Sequence, residues 1–122
     1  MNNPFKSIPD SRILSESADF LITKDLFPVS PGHILIISKR EVSDFFALTD
    51  SERTQLNKSI LIAKFLIELE NKPDGYNIGM NCGAAAGQTV FHFHCHVIPR
   101  YIGDMENPRG GVRHCVEGKG NY

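Results

Sequence analysis

The chain lacks most of what would mark a secreted, membrane-spanning or polymer-binding protein. It has three cysteines, Cys82, Cys95 and Cys115, an odd number with no Cys-x-x-Cys pair. That argues against a disulfide framework and a cysteine-based zinc cluster, and it suits reduced thiols in a cytoplasm. No apolar run reaches the roughly 18 residues that a bilayer demands, and Met1–Lys6 does not open a signal peptide, so a soluble, unexported protein is expected. Charge is nearly balanced as well. The 13 basic and 14 acidic residues leave a formal net charge of −1, which gives no field for following a nucleic-acid backbone. Small molecules are better-matched partners than polymers or membranes. There is no internal repeat or low-complexity tract. The 122 residues are expected to make one domain, with an irregular tail at about 101–122, where Gly103, Gly110, Gly111, Gly118, Gly120 and Pro108 interrupt regular structure.

Histidine is scarce too, and three of the five stand at alternate positions in His92-Phe93-His94-Cys95-His96. In an extended chain side chains alternate between faces and each residue rises about 3.3 Å, so these three rings share one face at intervals of about 6.6 Å. Phe91, Phe93, Cys95 and Val97 then point the other way, toward a core. Zinc needs nitrogens at about 2.0 to 2.1 Å, and His92 and His96, with Cα atoms about 13 Å apart, do not easily reach one ion. A metal would require His33, His114 or carboxylates as additional ligands. Free imidazole has a pKa of about 6.5, so at neutral pH the rings are mostly free base and suited to act as nucleophiles or proton carriers.

Upstream lies a loop of small residues, Asn81-Cys82-Gly83-Ala84-Ala85-Ala86-Gly87-Gln88-Thr89. It contains no Gly-Lys-Ser/Thr and is not a P-loop, but small side chains let an anion approach main-chain N–H groups. Beside a strand of histidines it reads as a phosphate cradle. By itself such a loop is more often an ordinary turn.

The remaining pattern supplies a frame. Ile13-Leu14 and Phe20-Leu21-Ile22-Thr23 read as a hairpin, and His33–Ile37, apolar almost throughout, as a central strand. A short helix is expected over Val42–Leu48. Thr49-Asp50-Ser51-Glu52 has the form of a capping box, and behind it Leu56, Ile60, Ala63 and Ile67 recur at helical spacing to about Glu70. Leu61, Ile62, Phe65, Leu66 and Leu69 broaden the apolar surface, as burial against a second subunit would require. Pro73-Asp74-Gly75 turns the chain into Tyr76, Ile78 and Met80, which alternate toward the loop.

Taken together, His92–Ile98, Pro31-Gly32-His33 with the apolar strand behind it, Asp25 eight residues before His33, and Gly87-Gln88-Thr89-Val90 resemble the histidine triad family of nucleotide hydrolases and transferases. The likeness extends over roughly residues 5 to 104. Glu41 stands where many members carry another histidine, and Cys95 where an aliphatic residue is usual. Pro99-Arg100 with Gly103-Asp104 resembles the dinucleoside polyphosphate hydrolase branch, whereas Asp25 resembles the phosphoramidase branch. The resemblance implies an α+β fold, an antiparallel sheet of about five strands with one long and one short helix packed on it. It also implies a cytoplasmic homodimer that hydrolyses purine nucleotide conjugates without metal or cofactor. In that scheme His94 attacks the α-phosphorus, His96 assists the leaving group, and His92 and His33 orient the rings. Asn81, Gly87, Gln88 and Thr89 hold phosphate oxygens and Asp25 holds the ribose. Arg100, Arg109 and Arg113 either meet outer phosphates or lie on a solvated tail. Two rivals stay open, a nucleotide-binding regulatory module with little turnover and a metal-binding protein.

Overall fold

Five antiparallel strands, β1 (Ile13–Glu16), β2 (Phe20–Lys24), β3 (Ile34–Ser38), β4 (Gly75–Gly79) and β5 (His94–Arg100), form one sheet in the order β1-β2-β3-β5-β4. They are taken from a computed structural model that describes residues 3–122; Met1 and Asn2, the start of the segment expected not to be a leader, lie outside it. The unbroken apolar run of β3 is explained by its position, since it sits in the middle and every residue is buried. The hairpin of β1 and β2 turns at Ser17, whose Oγ accepts the N–H groups of Phe20 and Asp19.

One long helix, α1 (Asp50–Glu70), covers one face of this sheet. Its capping box is complete: Thr49 Oγ1 accepts from Glu52 N, and the Glu52 carboxylate accepts from Thr49 N. Arg40 donates twice to the same carboxylate, whose pKa is held down to about 2, first by that guanidinium. The cap thus ties the exit of β3 to the start of α1. Leu56, Ala63 and Ile67 are buried, with Ile60 and Leu66 at the margin, against Phe20, Ile22, Ile34, Ile36, Phe93, Cys95 and Val97. Full burial of each large side chain contributes about 1.5 to 3 kcal/mol. Cys95 is a core residue with no exposed surface, and burial pushes its thiol up to about 12. The other face of β5 is left to His94 and His96.

Three expectations are corrected. Phe91 does not join the core; it is 54% exposed. The histidine strand begins at His94, so His92 stands outside it. β5 follows its partner only while β3 lasts, and past Ser38 the chain changes neighbours, with Phe93 N bonded to Val42 O at 2.7 Å. Without a ladder the two-residue alternation lapses. The short helix over Val42–Leu48 is only a 3-10 turn, Phe45–Ala47, capped by Asp44. Carbonyls that an α-helix would use go instead to arginine, Ala47 O to Arg40 and Leu48 O to Arg53.

The tail holds a 3-10 helix, Gly111–Cys115, and no strand. Arg109 and Arg113 each lie 4.7 Å from the Tyr122 ring, so they face an aromatic surface. Arg100 is bound to Asp104 and Asn77. Among the described residues no helix is long and apolar enough to cross a membrane.

Candidate functional site

Four of the five histidines converge where β5, the loop between β2 and β3, and the N-terminal segment meet. Each ring has a main-chain or side-chain neighbour that decides which nitrogen carries its proton. A carbonyl can only accept, and an N–H can only donate. His92 is 2% exposed; its Nε2 donates to Ser38 O at 2.6 Å and its Nδ1 accepts from Asn3 Nδ2 at 2.8 Å. Both nitrogens are thus engaged, and the ring is locked in place. Its own carbonyl accepts from His94 Nδ1 at 2.8 Å, which leaves the Nε2 lone pair of His94 bare. Phe5 packs edge-on against both rings, with its centroid 5.8 Å from His92 and 4.9 Å from His94.

The second pair is built from the β2–β3 loop. His33, expected inside the strand, is buried one residue before it. Its Nδ1 accepts from Val29 N at 3.2 Å, so in the neutral ring the proton is on Nε2, which donates to His96 Nδ1 at 2.9 Å. The proton of neutral His96 is then on Nε2, away from His33. Burial lowers the pKa of both rings, and that of His96 falls to about 4, burial first and the neighbouring His33 and His94 next, with Asp25 opposing. Gly32 makes the loop possible. It has φ +93, and a Cβ there would meet Asn71 Nδ2 at 2.9 Å and Ile67 Cγ2 at 3.3 Å at the end of α1.

Asp25 joins this pair. Its Oδ1 accepts from Phe27 N at 2.7 Å, and its Oδ2 lies 3.4 Å from His33 Nε2 and 3.8 Å from His96 Nδ1. Asp25 thus combines a local turn bond with an approach to two imidazoles.

A cleft of about 920 Å³ opens beside His96, within the size range of ligand sites. His33, His96, Asn81 and Gly87 line it, with Ile98 and Asn77 from the sheet and Val112, Cys115 and Val116 from the tail. Thr89 is exposed at the end of the loop. Gln88 differs from its neighbours: it is buried, donating to Ser43 O and Val90 O and accepting from Gly83 N. Its amide closes the loop upon itself. His114 is exposed in the tail, where it bonds Arg109 O, and takes no part.

Sequence reasoning missed Asn3, Phe5, Val29 and the tail residues of the cleft. Asn3 and Phe5 lie in a short irregular stretch, and Val29 acts through its main chain, so neither leaves a periodic signal. The tail is legible only as glycine-rich.

The HIT domain family matches residues 6–103. Among curated relatives, the AP-4-A phosphorylase of Mycobacterium tuberculosis is 34% identical over 110 residues, 83% of this chain and 55% of that protein. The bis(5'-nucleosyl)-tetraphosphatase [asymmetrical] of Schizosaccharomyces pombe is 42% identical over 81 residues, 66% of this chain and 44% of that protein. The chain thus spans about half the length of these relatives. Among solved structures, the C. elegans NitFhit protein superposes with a TM-score of 0.76 at 31% identity, over 88% of this chain and 26% of that one.

Proposed function

The chain belongs to the histidine triad, or HIT domain, family, and on that premise we propose that it hydrolyses purine nucleotide conjugates at the α-phosphorus, with dinucleoside polyphosphates as its preferred class. The observation that carries this reading is the 2.8 Å bond from His94 Nδ1 to the His92 carbonyl, which in the neutral ring leaves the lone pair on Nε2 for attack. Its lone pair forms a bond to the α-phosphorus as the bond to the bridging oxygen breaks, and the rest of the substrate departs with the electron pair. Water then attacks the same phosphorus, its proton goes to solvent, and the P–N electrons return to Nε2. One barrier becomes two lower ones. The covalent step draws on no metal.

The lowered pKa of half-buried His96 supports a leaving group that departs as an anion. A neutral ring, which burial favours by lowering the His96 pKa to about 4, offers a hydrogen bond from Nε2 but not a net proton. A polyphosphate leaves as an anion and needs only that bond. A departing amine needs the proton as well, so phosphoramidates are the poorer class. The names of the M. tuberculosis and S. pombe relatives accord with this preference. Asn81, Gly87 and Thr89 hold phosphate oxygens, Gln88 holds the loop that carries them, and the free oxygen of Asp25 faces a ribose hydroxyl.

We also propose a homodimer. Leu61, Phe65 and Leu69 recur every four residues along the outside of α1 and are 64 to 68% exposed, an apolar stripe suited to a second copy. Sedimentation of the wild type and of Phe65→Glu should give a dimer and a monomer.

The function is tested by quenching steady-state hydrolysis of a dinucleoside tetraphosphate in alkali, where a P–N bond survives. A nucleoside monophosphate should be recovered on His94. Turnover without any trapped adduct would refute the mechanism.

A further inference from the structure

Two rings of the triplet can hold a metal only if His33, His114 or a carboxylate joins them, and the β2–β3 loop brings two of these groups to His96. The donors are His33 Nε2, His96 Nδ1 and Asp25 Oδ2, separated by 2.9, 3.4 and 3.8 Å. A circle through three points with these spacings has a radius of about 2.0 Å, and zinc binds imidazole nitrogen and carboxylate oxygen at about 2.0 to 2.2 Å. An ion near the plane of the three atoms is at bonding distance from all of them, once the two rings, hydrogen-bonded to each other, turn their nitrogens toward it. The 2.9 Å hydrogen bond explains one side of that triangle. It does not require a carboxylate oxygen to complete it. These are also the only three or more His, Cys, Asp or Glu residues among those described that gather closely enough to share an ion.

We propose that Asp25, His33 and His96 form a three-ligand site for a first-row divalent ion, zinc foremost, and that its occupancy arrests hydrolysis. Two imidazoles and a carboxylate are a donor set such ions favour, and a fourth position remains for water or a phosphate oxygen. The Phe27 N–H bond to Asp25 Oδ1 holds the carboxylate in place from behind, as outer partners of metal ligands do. Binding moves the proton of His33 from Nε2 to Nδ1 and breaks the long bond from Val29 N, a small loss against three metal bonds. The arrest rests on the functional reading above, because the ion occupies the oxygen of Asp25 and removes the His33 partner of His96. The binding does not rest on it.

Equilibrium dialysis against zinc chloride should retain one ion per chain at micromolar concentration. Cobalt(II) should give the intense visible bands of a four-coordinate site. Asp25→Ala and His33→Ala should each weaken binding about a hundredfold or more, with Asp25→Asn as the isosteric check should the alanine variants misfold. His94→Ala, devoid of the nucleophile, should bind zinc as the wild type does, so metal is read independently of turnover. One equivalent of zinc should abolish hydrolysis, and a chelator should restore it. Binding unchanged in folded Asp25 and His33 variants, or none below millimolar zinc, would overturn the site; full turnover by the zinc-loaded protein would overturn the arrest.

Discussion

His92 and His96 stand two residues to either side of His94, are the same residue type, and behave as opposites. His92 is 2% exposed, and both of its nitrogens are used within the protein. His96 borders the cleft, and among the described residues only its Nδ1 has a partner. One flank of the central ring is scaffold and the other is open to a reactant. The difference arises from register: His96 lies opposite Leu35 inside the ladder, whereas His92 lies beyond the last β3 pair, where a neighbouring carbonyl captures it. Equal spacing in a motif therefore does not imply equal roles.

Four experiments sharpen that contrast. The largest effect belongs to neither flank: His94→Ala should slow hydrolysis about a thousandfold or more, about 4 kcal/mol in barrier, while nucleotide affinity by calorimetry changes little. Next, His92→Ala should lower the free energy of unfolding by about 3 kcal/mol in urea titrations, since it opens a cavity and orphans the Ser38 carbonyl. A stability loss no larger than that of His96→Ala would erase the distinction between scaffold and open flank.

Acid should expose the other flank. The pKa of folded His96 is below its unfolded value of about 6.5, so the unfolded state binds more protons as pH falls through that value. The resulting loss of stability is complete near pH 4. With an allowance for the ring's partial exposure the loss is about 2 kcal/mol, and His96→Asn should remove it from the pH profile of unfolding. The Glu52 pKa is lowered as well, but in an acid the same direction stabilises the fold: its contribution is present above about pH 4.5 and disappears toward pH 2, largely below the His96 window. The smallest effect is expected from Asn3→Ala, which removes one hydrogen bond to His92 and should cost about 1 kcal/mol in the same titration.

What the sequence made legible is what periodicity and local chemistry control. The Thr49–Glu52 box, the Leu56, Ala63, Ile67 stripe and the alternation of Phe93, Cys95 and Val97 all depend on nearest neighbours along an element, and all are as expected. Phe91 and His92 continue the same alternation on paper, but nothing within the motif marks where the partner strand ends. That boundary lies at Ser38, more than fifty residues away. The same limit applies to Asp25. Its eight-residue distance from His33 was visible, but its approach to two imidazoles depends on the left-handed Gly32 and on the end of α1 against which that glycine packs. Tautomers were beyond reach for a further reason: they are set by main-chain atoms of Ser38, Val29 and His92, which have no side-chain signature.

Cys95 sits between His94 and His96 but on the reverse side of the strand, sealed beneath α1. A thiol reagent meets it only after helix and sheet have parted. Its labelling half-time, set against the rapid modification of exposed Cys115, is thus a native stopwatch for opening of the histidine strand, and oxidation there signals damage to a chain that has already come undone.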